Sequence, residues 1–296
     1  MILRANKTAK DAVFCENVLR KMQEQDDKGV EIPYNLKSII RTNCTQFEFD
    51  PNRYFLTARE KEVIEHIEKM YRVSGKLATL GIRYTNAVLL SGESGTGKTT
   101  FAQYAAHSLG LPFFYVSITQ LIDSYLGKTG QNLETVFEFA NSLPCVLVLD
   151  EIDQIGSKRR DDGGTSGEMK RVLITILQNL DRLPNNVVLI AATNRPEVLD
   201  EALVRRFSVS HVVNRLNEQE SEKFVSQYMS GIGLGWTGSV DMFLQTVERE
   251  EHQSKGKGNT PATLTRYLNE KIAEALYTGE DDPTVFLSNE QAEGVS

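Results

Sequence analysis

Gly92-Glu93-Ser94-Gly95-Thr96-Gly97-Lys98-Thr99 is the stretch on which the fold turns. It follows the apolar run Ala87-Val88-Leu89-Leu90 and opens a helical pattern that continues through Ser108, so a strand leads in and a helix leads out. The pattern G-x-x-x-x-G-K-[ST] in that setting cradles phosphate. Its glycines let main-chain N–H groups curl around phosphate oxygens, Lys98 reaches the β and γ oxygens, and the Thr99 hydroxyl suits magnesium. Gly92, Glu93, Ser94, Gly95, Thr96, Gly97, Lys98, Thr99 and Thr100 are therefore the candidate nucleotide-binding residues. A chance glycine turn is the bland alternative, and the strand and helix on either side argue against it.

Outward from this loop, strands and helices alternate. Phe113–Val116, Cys145–Leu149 and Val187–Ala192 are short continuous apolar runs, separated by helical patterns near Thr129–Asn141 and Glu168–Leu180. Buried parallel strands with crossover helices read this way, which gives an α/β fold with a parallel sheet. Upstream, Thr57-Ala58-Arg59-Glu60 is a capping-box pattern, with Val63, Ile64, Ile67 and Met70 on one face of the helix that follows. After Leu216 the apolar strands stop, and Asn217–Met229, Val240–Glu248 and Pro261–Tyr277 carry helical patterns. The expected organisation is an N-terminal arm over 1–50, an α/β domain over 51–216, a small helical lid over 217–280 and an acidic tail over 281–296. The tail is expected to be partly disordered, and the arm to be too short for a core of its own.

The chain has 296 residues, 40% hydrophobic and 25% charged, an ordinary globular composition, with a net charge of −7. That balance disfavours a nucleic-acid partner, whose phosphates need a basic face. Cys15, Cys44 and Cys145 show no metal-ligand spacing, and His66, His107, His211 and His252 show none either. No apolar stretch approaches the roughly 20 residues of a membrane helix, and the first residues do not resemble a secretory leader. The expectation is a cytoplasmic protein without a membrane partner.

Three further positions carry chemistry. Asp150-Glu151 ends the run Val146–Leu149. A carboxylate there can hold magnesium, which is the role expected of Asp150, and the next, Glu151, can polarise water as a general base. Asn194, after Val187–Ala192, can orient that water, although an asparagine near Pro196 is also a common turn feature. Arg205-Arg206 closes Leu199–Phe207 and offers cations of the kind that stabilise a γ-phosphate from a neighbouring subunit. Taken alone, such a pair would be read as surface ion pairing.

With these residues in place, 86–216 resembles the AAA+ ATPases of the AAA clade, and with the lid the resemblance covers most of the chain. Gly92–Thr99 corresponds to Walker A, Asp150-Glu151 to Walker B and Asn194 to sensor 1, while Thr193–Phe207 resembles the second region of homology. Arg205 and Arg206 match its arginine fingers, adjacent as in the spastin and katanin relatives. The resemblance implies ATP and Mg2+ as ligands and a homohexameric ring with a nucleotide at each subunit boundary. Tyr125-Leu126-Gly127 resembles the pore loop with which protein-translocating relatives grip a threaded polypeptide; an aromatic ring and an aliphatic side chain can hold any extended backbone. Ser157–Gly167 falls where a second pore loop would lie, or is a solvated loop. Ala262 stands where a sensor 2 arginine would be expected, and Arg266, one turn later, is the alternative.

The expected function is an ATP hydrolase that remodels protein. A P-loop switch or kinase would leave the finger region without a role, a DNA-associated loader fits poorly with the acidic charge, and a non-hydrolysing scaffold would not need these side chains. As a compact single-ring chain it resembles the bacterial relatives of the pachytene-checkpoint ATPase. This implies a HORMA-domain protein as substrate and an associated nucleotidyltransferase in cyclic-oligonucleotide anti-phage signalling. Filament severing and protease feeding remain alternatives, and no H-E-x-x-H follows the lid.

Overall fold

The computed structural model describes residues 30–42, 49–124, 128–157, 165–253, 258–277 and 284–287. Six strands form the main sheet: β1 (Arg41–Thr42), β2 (Ala87–Ser91), β3 (Phe113–Ser117), β4 (Cys145–Asp150), β5 (Val187–Thr193) and β6 (Val209–Val212). Their order is β1-β3-β4-β5-β2-β6, parallel throughout except for β1 against β3. The chain leaves β2 in mid-sheet and returns three positions away at β3, with β5 and β4 later filling the gap, so a crevice opens at the strands' carboxyl ends beside β2.

The continuous apolar runs are buried on both faces, as a covered parallel sheet requires: every residue of β2 and β5 is buried. Along β4, alternate residues serve opposite cores. Leu147 and Leu149 pack with Val136 and Phe137 of α4 (Thr129–Asn141) and with Val172 and Ile176 of α6 (Thr165–Leu180). Val146 and Val148 pack on the other face with Phe101 and Ala105 of α2 (Lys98–Leu109) and Ile64 and Ile67 of α1 (Ala58–Thr79). The capping box at α1 forms: Glu60 N donates to Thr57 Oγ1 at 3.2 Å and Thr57 N to Glu60 Oε2 at 2.8 Å. Three short helices complete this unit, α3 (Ile118–Ser124), α5 (Gln154–Ser157) and α7 (Glu201–Val204).

The helical region follows as α8 (Glu218–Ile232), α9 (Val240–Gln253) and α10 (Pro261–Tyr277), around Phe224, Met229, Leu244, Val247, Leu264 and Leu268. Two segments do more than their polar sequence suggests. Leu36 and Ile40 enter the α4/α6 core, and Arg41–Thr42 extends the sheet edge as β1. In the acidic tail, β8 (Thr284–Phe286) pairs with β7 (Gly235–Thr237), and Val285 and Leu287 are buried in the lid core. Two apolar side chains at a spacing of two are enough to dock this short strand onto an open edge. Residues 1–29 of the N-terminal arm lie outside the described residues. No helix among the described residues is long and apolar enough to cross a membrane.

Candidate nucleotide site

Strand register builds the site. Ser91 pairs with Thr193, Leu149 with Ala191 and Ser117 with Asp150, so Gly92, Asn194 and Glu151 leave the sheet along one edge. Gly92 has φ +149, and a Cβ there would lie 2.2 Å from the Val213 carbonyl oxygen, so only glycine lets the loop turn that closely against the end of β6. Gly95, at φ +88, faces Thr260 and Ala262 from the lid, each 3.2 Å from where its Cβ would be. Helix α2 then starts at Lys98 with its amino end at the loop, a natural seat for phosphate.

Lys98 is only 7% exposed. Its ammonium donates to the carbonyl oxygens of Gly92 (2.8 Å) and Glu93 (2.7 Å) and to Asn194 Oδ1 (2.6 Å), which brings four of the expected positions together. Beside it, Thr99 Oγ1 donates to Asp150 Oδ2 at 3.2 Å. A hydroxyl and a carboxylate side by side are hard oxygen donors that fit Mg2+, and they would hold it. Such an ion, when bound, neutralises charge on phosphate oxygens. Asp150 Oδ1 accepts from the Glu151 main-chain N–H at 2.8 Å, and Ser117 Oγ donates to Glu151 Oε2 at 3.0 Å. Glu151 itself has φ +60, in the left-handed region.

Two of these neighbours escaped the sequence. Ser117 orients Glu151, and Tyr115 donates its hydroxyl to Asp150 Oδ2 at 3.0 Å. Burial, and then the adjacent Asp150 carboxylate, push the Tyr115 phenol well above its ordinary range, so it stays an O–H donor. Removing a partner that orients a metal-binding carboxylate typically costs 10–100-fold in affinity. Tyr115→Phe is therefore expected to raise the Mg2+ concentration needed for half-maximal nucleotide turnover about tenfold. A Mg2+ titration checks this, and an unchanged requirement would refute the role.

The cleft, about 650 Å³, continues from these polar groups to an apolar end. That end is made by Phe49, Tyr54, Leu216, Phe224 and Tyr228, with Pro261, Ala262 and Thr265 from α10. Phe49 and Tyr54 lie 6.1 Å apart between ring centroids, and Phe224 stacks on Tyr228 at 5.9 Å. A charged end and an aromatic end in one cleft suit phosphates and a planar base respectively. Chain segments far apart in sequence supply these rings, and no motif spacing marks them.

Other expected positions lie elsewhere. Arg205 and Arg206 do not line this cleft; they line another, of about 350 Å³, with Arg83, Tyr84 and Asp181. Ala262, not Arg266, meets the phosphate loop, its N–H donating to the Gly95 carbonyl at 3.2 Å. Arg266 pairs with Glu251 at 2.5 Å within the lid and lies over the Tyr267 ring. Tyr125, Leu126 and Gly127 lie outside the described residues, as do residues 158–164 of the expected second pore loop.

A phosphate loop at the switch point of a parallel α/β sheet, capped by a helical lid, defines a P-loop nucleotide-binding protein. Residues 88–215 match the profile of the family described as "ATPase family associated with various cellular activities (AAA)", so the chain carries an AAA ATPase domain. Among similar proteins, an uncharacterized AAA family ATPase, y4kL, of Sinorhizobium fredii is 39% identical over 160 residues, 54% of this chain and 48% of that protein. The ATP-dependent zinc metalloprotease FtsH of Veillonella parvula is 31% identical over 242 residues, 80% of this chain and 36% of that protein. FtsH 1 of Thermomicrobium roseum is 37% identical over 204 residues, 67% and 31% respectively. The chain thus spans about half of the first relative and about a third of the other two.

Proposed function

We propose that this chain is an ATP-hydrolysing motor that assembles into a homohexameric ring and remodels or partly unfolds a protein drawn through the central pore. The observation that carries the hydrolytic part of the reading is the convergence of Lys98, Asn194, the Thr99–Asp150 pair and the Ser117–Glu151 pair at one sheet edge. In this reading Lys98 binds the β and γ phosphates and Thr99 and Asp150 hold Mg2+. Glu151 takes a proton from the attacking water, Asn194 orients that water, and a neighbouring copy supplies arginine to the developing charge. Tyr125, Leu126 and Gly127 grip the substrate chain.

The substrate proposed is a HORMA-domain protein whose remodelling resets an associated nucleotidyltransferase in a cytoplasmic anti-phage system. Its support is the resemblance of the chain's motifs to those of pachytene-checkpoint-type ATPases. A second reading, in which the motor feeds a protease, is favoured by the FtsH relatives, whose names describe ATP-dependent zinc metalloproteases.

The Tyr125→Ala variant tests the pore reading. Basal ATP hydrolysis is expected to stay within about twofold of the parent, because no hydrolytic group is touched, whereas remodelling of a folded test protein falls at least about tenfold. Remodelling at the parent rate would exclude the grip.

A further inference from the structure

Arg205 and Arg206 are neighbours in sequence and identical in chemistry, but the fold treats them differently. Arg206 is 33% exposed and locked: Nε and Nη2 donate to the two Asp181 oxygens at 2.9 and 3.0 Å, and Nη1 donates to the Ala202 carbonyl at 2.8 Å. This fork-to-fork pairing is the strongest arrangement that guanidinium and carboxylate can adopt. Asp181 directly follows α6, whose Val172, Ile176 and Leu180 are in the core, and Phe207 on the other side of Arg206 is also buried. Arg205 is 73% exposed and bonds to Glu201, one turn back on α7 and itself 78% exposed. Exposed pairs at that spacing exchange readily with water and salt.

We propose that the two arginines divide the work: Arg205 is the cation presented to the terminal phosphate of a nucleotide held by a second copy of this chain, and Arg206 is a positioning residue that works through Asp181. The inference rests on the ring reading above and sharpens it. Clamping Arg206 to the end of α6 fixes the last turn of α7 and so the direction in which Arg205 leaves it. Were Arg206 to reach a neighbour's phosphate, it would have to break three hydrogen bonds at once. Arg205 need surrender only an exposed contact. A rigid base that sets the direction of an exposed cation is what stabilising a transition state across a subunit boundary demands, since the charge must arrive already oriented.

The experiment compares Arg205→Ala, Arg206→Ala, Asp181→Asn and the double exchange Arg206→Asp/Asp181→Arg. For each, ring assembly is measured by light scattering, and nucleotide affinity, kcat and melting temperature are recorded. In assembled rings Arg205→Ala is expected to lose on the order of 10³ in kcat with nucleotide affinity kept. Arg206→Ala and Asp181→Asn are expected to lose about tenfold each, in kcat rather than in affinity, and the exchanged pair to return to within about threefold of the parent. A purely structural pair would lower the melting temperature and leave kcat per assembled ring unchanged, which overturns the positioning role. If the exchange stays as slow as Arg206→Ala while Arg205→Ala is inactive, Arg206 acts directly and the division of labour is wrong. If Arg205→Ala turns over at the parental rate in assembled rings, the shared-site reading itself fails, a result distinct from the other two.

Discussion

The Glu151→Gln variant is expected to bind ATP as the parent does and to hydrolyse it roughly 10²–10⁴-fold more slowly, the range a positioned general base contributes. The substitution is nearly isosteric. Ser117 Oγ, which donates to Glu151 Oε2 at 3.0 Å, can still donate to the amide oxygen of glutamine. The main-chain N–H of residue 151 keeps its bond to Asp150 Oδ1, so the magnesium-binding carboxylate is undisturbed. What disappears is the basic lone pair that accepts a proton from water. Phosphate release under single-turnover conditions, alongside equilibrium binding of a labelled nucleotide, separates the two quantities. Turnover within tenfold of the parent would take the base assignment away from Glu151.

Lys98→Ala is expected to produce the complementary defect, with ATP affinity falling about a hundredfold or more. Hydrogen bonds made by a charged donor are worth about 1.5–3 kcal/mol each, and two of them to phosphate oxygens correspond to at least two powers of ten in affinity. The side chain is almost wholly enclosed, with its ammonium among the carbonyls of Gly92 and Glu93 and the amide oxygen of Asn194. Alanine removes the one positive charge that this ring of oxygens is shaped to hold. Calorimetric titration with ATP measures the loss, and affinity within threefold of the parent would contradict it. Together the variants split binding from chemistry, since one retains the ligand without consuming it and the other never retains it.

The parts of this molecule legible in sequence are those governed by local rules. Gly92–Thr99 declares itself because a tight phosphate cradle tolerates so few residue types, and β2, β4 and β5 because strands covered on both faces must be apolar throughout. The edges were illegible for the opposite reason. Arg41–Thr42 has two residues, both polar, and Val209–Val212 mixes Ser210 and His211 into an edge strand. The aromatic end of the cleft joins residues near 49–54, 216–228 and 261–265, which only tertiary folding brings together. Tyr115 and Ser117 passed as ordinary strand residues because their hydroxyls matter only once β4 lies alongside. The different fates of Arg205 and Arg206 depend on Asp181, 25 positions upstream of Arg206, and no spacing rule connects them.

The left-handed backbone at Glu151 has an evolutionary corollary. A side chain in that conformation costs about 1–2 kcal/mol relative to glycine, so folding alone would favour losing the carboxylate. Drift at this site is therefore biased toward sturdier but inactive descendants, and glutamate persists only while selection for hydrolysis outweighs the pull toward robustness. A stable inactive paralogue would be an easy product of this scaffold, one mutation away and downhill.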